Sequence, residues 1–191
     1  AAAASVSIKN LARRDAKVMG MVGAGHQATF QLRAALEQRE FEKVIGWNYH
    51  PEMLPNIEKV ANEAGVPFEA VELDGLGEAD VVISITSTFE PTIMTDHIIS
   101  GTHIACMGTD TKGKQEFYVA LLVRSRALTV EVAQSVSNGH AQLATDAGLI
   151  AAGDVSQLGA VSHGPPRARN VDHATTVLDC PGVGVVRPEV I

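Results

Sequence analysis

Cysteine is nearly absent from this 191-residue chain: Cys106 and Cys180 are the only two. That excludes a disulfide framework and fits a reducing, cytoplasmic setting. Neither belongs to a C-x-x-C pair, which argues against a zinc site, and both read as small buried hydrophobes. Cations are also short. Fifteen Lys and Arg stand against 22 Asp and Glu, a formal net charge of −7. Such a balance speaks against non-specific nucleic-acid binding and against an anionic membrane surface. No apolar run approaches the roughly 20 residues that span a bilayer. The opening AAAASVSIKNLARRD lacks the charged-then-apolar order of a secretory signal. The chain has no internal repeat, and no low-complexity stretch beyond the first alanines.

What remains is a globular composition, 46% apolar, in a length that favours one domain with a sizeable core. Residues 17–36 organise it. Val18, Met19, Met21 and Val22 form a short apolar strand. Gly23, Ala24, Gly25, His26, Gln27 and Ala28 follow, with Gly23, Gly25 and Ala28 at G-x-G-x-x-A spacing. An amphipathic helix with Phe30, Leu32, Ala35 and Leu36 comes next. A strand, a glycine turn and a helix in this order suit a dinucleotide diphosphate. Gly23 permits the tight turn, and a side chain at Gly25 would strike the diphosphate. Ala28 lets helix and strand pack closely, and the amides at the helix start hold the anion. The alternative is a merely structural turn.

Further along, strands and helices alternate. Residues 1–14 read as a helix, since alanine favours it and Val6, Ile8 and Leu11 make an apolar stripe. Strands are expected at 43–48, 66–73, 80–85, 103–107 and 127–130. Helices are expected from Pro51 to the stop at Gly65, at 116–124, and with breaks at 132–148. Short helical turns fill 74–79 and 95–99. The alternation implies an α/β fold: a doubly wound, mostly parallel sheet in a three-layer αβα arrangement, with its ligand at the carboxyl ends of the strands. Asn48, Tyr49 and His50 end the second strand, where an acidic residue usually holds the adenosine ribose. Asn48 can bond a ribose without repelling a 2′-phosphate, and protonated His50 could attract one. No Arg stands there, so NADP and NAD both remain open, with NADP slightly favoured. The other reading of these three is a polar turn before Pro51. His103 reads as a satisfied core histidine. His140, His163 and His173 show no metal-ligand spacing. Trp47, Phe30 and Phe41 read as core.

The runs ADVVISITSTFEPTI, GTHIACMGTDTKGKQE and HATTVLDCPGVG, in that order after the glycine turn, resemble the ornithine cyclodeaminase and mu-crystallin family. GTDTKGKQE is the most specific piece. The resemblance implies a nicotinamide-binding Rossmann domain. It implies chemistry on the C–N bond of an amino or imino acid, as in the family's dehydrogenases, imine reductases and cyclodeaminases. It assigns Asp110 to the substrate nitrogen, where a carboxylate can orient an iminium or move its proton. From residues alone, Asp110 also reads as a turn residue. Thr86, Ser87 and Thr88, with Met107 and Gly108, are implied to line the dinucleotide. Lys112 and Lys114 are expected to be mostly solvated. In residues 179–184, Cys180 and Pro181 replace the Ser and Thr of the family pattern.

Family members are much longer than this chain, with a separate substrate and dimerisation domain. Residues 1–15 are accordingly expected to be a lead-in helix, 16–180 the Rossmann domain, and 181–191 a tail. Two functions follow: an enzyme, or a truncated NAD(P)-binding or assembly module without activity. The chain alone is expected to be inactive, because the family's substrate clamp lies in the missing part. Its partners would be a small amino or imino acid, if a substrate domain is supplied, and further copies of itself, joined through the first helix and an uncovered sheet face.

Overall fold

The computed structural model describes residues 1–109, 111–162 and 173–181. Eight strands form one parallel sheet. They are β1 (Val18–Val22), β2 (Lys43–Trp47), β3 (Phe68–Ala70), β4 (Val81–Ser84), β5 (His103–Cys106), β6 (Arg126–Thr129), β7 (Ser156–Gln157) and β8 (Thr176–Asp179). Their order is β3-β2-β1-β4-β5-β8-β6-β7. The chain reverses direction across the sheet between β1 and β4, which places a ligand crevice at the carboxyl ends of those strands.

Helices cover both faces. α1 (Ala2–Leu11), α2 (His26–Leu36) and α3 (Pro55–Glu63) lie on one face, and α4 (Val119–Val123) and α6 (Ala141–Asp146) on the other. α5 (Val132–Asn138) precedes α6, and α7 (Leu158–Ser162) follows β7. β4 is buried at every position, as its unbroken apolar run requires. Met19 and Met21 join the core of the first face, whereas Val22 and Val82 join that of the second. Among the described residues, no helix is long and apolar enough to cross a membrane.

Several expectations need correction. α1 is shorter than residues 1–14, and its buried positions are Ala4, Ser7, Ile8 and Leu11, while Val6 is exposed. It packs on α2, β5, α7 and β8, which cover its apolar stripe. Arg39 closes its end, donating to the carbonyls of Lys9 (2.9 Å) and Ala12 (3.2 Å). Pro51 opens a single 3-10 turn, Pro51–Met53, before α3 begins at Pro55. Glu116 lies outside α4, which starts at Val119. Phe30 is half exposed, although Phe41 is buried. β7 and the central strand β8 were not anticipated.

Candidate functional site

The site begins at the junction of β1 and α2. The Gly23 amide donates to the Trp47 carbonyl (2.9 Å), carrying the ladder one residue past the strand. Gly23 has φ +106°, and a Cβ there would stand 2.5 Å from the Ile85 carbonyl oxygen. Only glycine fits both demands. Gly25 differs. Its φ of −70° suits any residue, and a Cβ there would meet nothing within 4 Å. It caps α2, whose first amides have no helical acceptor. Among the described residues, the amides of Gly25, His26 and Gln27 donate to no protein atom. They form an open cradle at the positive end of the helix dipole.

The cradle opens on a cleft of about 470 Å³. Nine of the expected site residues line it: Gly23, Ala24, Gly25, Asn48, Tyr49, His50, Thr86, Ser87 and Thr88. The rest lie elsewhere. His26 sets its ring edge against Phe30, with centroids 5.0 Å apart. Gln27 is exposed, and Ala28 is fully buried between helix and sheet, as its role requires. Met107 and Gly108 stand just past β5. Asp110, His163, residues 182–184 and nearly all of the tail lie outside the described residues.

Asn48 lines the cleft and also bonds the neighbouring backbone. Its Oδ1 accepts the Ala24 amide (3.0 Å) and its Nδ2 donates to the His50 carbonyl (2.8 Å), so the carboxamide braces the glycine turn. His50 places Nδ1 3.4 Å from Glu52 rather than standing alone as an anion receptor. Trp47 is half-buried, packed against the core of the second face and lining the cleft as well. Met53, Ile85 and Thr92 also line the cleft and were not anticipated.

A second constellation lies under the strand ends. Glu116 is fully buried. Its Oε1 accepts the Ser84 hydroxyl (2.6 Å), the Thr86 amide (2.7 Å) and the Thr86 hydroxyl (3.0 Å). Its Oε2 accepts the Gly108 amide (2.8 Å). The Thr86 hydroxyl thus donates to protein while Thr86 lines the cleft. His140, also fully buried, points Nδ1 at Asp179 (2.8 Å) and takes the Glu116 amide on Nε2 (3.2 Å). The bonds assign the proton to Nδ1. Asp179 accepts the His140 amide (2.9 Å) and the Ser135 hydroxyl as well. Sequence spacing gave no sign of this grouping, because its members are distant in the chain.

Cys106, Glu116 and His140 bring potential metal-ligand atoms within 4.8 Å of one another. The chemistry of the set disfavours an ion. Glu116 is saturated with donors, and the His140 Nε2 lone pair is already bonded. Burial pushes the Cys106 thiol well above its usual range, with the charges of Glu116, Asp179 and Cys180 adding to it. His103 is a core histidine, as expected, bonded to Ser7 (3.0 Å) and Thr176 (2.9 Å).

The family model for ornithine cyclodeaminase/mu-crystallin proteins matches residues 1–186. The iminosuccinate reductase of Paracoccus denitrificans is 58% identical over 186 residues, covering 97% of this chain and 58% of the relative. Its crystal structure in complex with NAD+ superposes with a TM-score of 0.91, covering 96% of this chain and 57% of that one. The Delta(1)-pyrroline-2-carboxylate reductase of Thermococcus litoralis, in complex with NADH and L-proline, gives 0.90 at 26% identity, covering 95% of this chain and 58% of that one. The chain therefore spans well under two thirds of the length of these relatives.

Proposed function

Because the chain belongs to the ornithine cyclodeaminase/mu-crystallin family, we propose that it is the cofactor-binding part of a nicotinamide-dependent reductase acting on the C=N bond of an imino acid. The observation that carries this reading is the free approach to Gly25, with three unbonded amides at the start of α2. A diphosphate needs N–H donors and no side chain in its way, and residues 23–28 offer both. When bound, the dinucleotide would supply hydride to the imine carbon.

The protein's own groups hold and orient. Asn48 keeps the Ala24 peptide in place, and Tyr49, at 80% exposed, offers a ring face at the cleft rim. Asp110 follows Thr109 in the chain. By the family pattern it handles the proton on the substrate nitrogen, so that hydride and proton together convert imine to amine. The 58% identity to an iminosuccinate reductase supports a small imino dicarboxylate as the substrate class.

The same cleft favours NAD over NADP. Among the described residues, no Lys or Arg lines it or the adjoining hollow, where Glu72 stands beside Tyr49. A 2′-phosphate at His50 would face Glu52. Trp47 is the only tryptophan and lines the cleft, so its emission reports occupancy directly. Titration with NADH is expected to quench it and to excite the nicotinamide by energy transfer. No change in either signal up to millimolar NADH would overturn the assignment.

A further inference from the structure

Glu116 and Asp179 are buried carboxylates; Glu116 is satisfied by neutral donors alone, and Asp179 by neutral donors and the His140 ring. Burying a carboxylate costs several kcal/mol, and an apolar core of equal volume is often the more stable choice. Stability is thus a poor account of this grouping. What it does fix is geometry. The donors to Glu116 are Ser84 and Thr86 at the end of β4, and Gly108 at the end of β5. The β4 end lines the cleft through Thr86, and the β5 end is its neighbour in the sheet.

His140 ties the rest together. Its ring bridges Asp179, at the end of β8, and the Glu116 backbone. It lies flat on Phe117, with centroids 4.5 Å apart and planes 9° apart. The Thr109 hydroxyl sits 2.8 Å from its Nε2. There is no slack in the arrangement. A Cβ on Gly108 would strike the Thr86 backbone and Glu116, and one on Gly139 would strike Asp179.

We propose that Glu116, His140 and Asp179 form a positioning network that sets the β4 and β5 ends for cofactor and substrate, with Glu116 as its centre. None of the three touches the cleft; they act through Thr86, Gly108 and Thr109. The inference rests on the function proposed above for its consequence, but not for its geometry. The geometry alone predicts which backbone amides are held.

The test uses Glu116→Gln, His140→Leu and His140→Asn in this chain, with NADH affinity from Trp47 emission and amide exchange read residue by residue. In Glu116→Gln the added N–H must face a donor that the carboxylate had accepted. Exchange at Thr86 or Gly108 is expected to speed by about tenfold, as befits the loss of one buried bond to a charged acceptor, while Gly20 and Val44 keep the parent rate. NADH affinity should fall about tenfold in Glu116→Gln and in His140→Leu. His140→Asn keeps a donor for Asp179 and should recover most of that loss, which a role in packing alone would not produce. Should Glu116→Gln fail to fold, Ser84→Ala removes a single donor and should show the same pattern at about threefold. Parent exchange at Thr86 and Gly108 in these variants would overturn the proposal. So would parent NADH affinity in all of them. If the parent chain itself binds no NADH, the proposed function fails, and the exchange rates still decide the network.

Discussion

Asn48 Oδ1 accepts the amide of Ala24 at 3.0 Å. The side chain at the end of β2 is therefore part of the glycine turn as well as of the cleft wall. Asn48→Ala should leave the Ala24 amide without an acceptor and loosen the turn. NADH affinity is expected to fall by about fivefold, the worth of one neutral hydrogen bond, with little change in unfolding midpoint. Asn48→Asp retains an acceptor for Ala24 and should weaken binding less. Titration of both variants by Trp47 emission checks the order.

The two glycines of the turn should fail in different ways. Gly23→Ala places a Cβ against the Ile85 carbonyl in a left-handed backbone. It is expected to cost about 1–3 kcal/mol of stability, visible as a lower midpoint in urea. Gly25→Val meets open space at an ordinary φ and should melt like the parent. Yet its side chain fills the approach to the free amides, so NADH binding should be lost. Equal stability with undiminished binding in Gly25→Val would place the diphosphate elsewhere.

Cofactor choice follows from charge at the rim of the same cleft. His50 is paired with Glu52, and Glu72 lines the neighbouring hollow. NADPH is expected to bind at least about tenfold more weakly than NADH, since a 2′-phosphate brings up to two charges toward carboxylates without a cation. Glu52→Gln should narrow the gap by favouring NADPH alone. Raising salt should narrow it as well, because these groups are exposed and screened. Competition of each nucleotide against bound NADH measures both effects.

The parts of the fold legible in the sequence were those with local physical causes. The apolar run before Gly23 and the glycine spacing at Gly23, Gly25 and Ala28 located the β1-α2 junction. The unbroken run at residues 81–85 located a doubly buried strand. β8 escaped notice because Thr176 and Asp179 interrupt its apolar pattern, and both are buried only through partners distant in the chain: His103 for Thr176, and Ser135 and His140 for Asp179. Glu116 reads from sequence as the start of a helix over 116–124, whereas α4 begins at Val119. Its true setting depends on Ser84, Thr86 and Gly108, which no local window contains. Phe30 was assigned to the core from hydrophobicity alone, whereas α2 turns Gln31, Leu32 and Ala35 inward.

Cys106 gives the chain a stability that depends on alkaline pH. Burial is the first cause of its raised pKa, and the charges of Glu116, Asp179 and Cys180 act in the same sense. In the unfolded chain the thiol ionises near its ordinary value of 9.0. Above that pH the unfolded chain has released a proton that the folded chain still holds. Unfolding is then favoured as pH rises, so the stability is full below the ordinary thiol value and declines above it. The slope approaches about 1.4 kcal/mol per pH unit until the folded thiol itself ionises. Cys106→Ala leaves a small cavity and should be less stable at neutral pH, but it removes this slope. Urea unfolding of parent and variant at about pH 8 and about pH 10 should show the gap between them shrinking with pH, other titrating groups cancelling in the difference. The same protonated, buried thiol should react with a disulfide reagent only as fast as the chain opens. A gap that stays constant with pH, or rapid modification of the folded protein, would mean that Cys106 carries a thiolate beside Glu116, contrary to the burial described here.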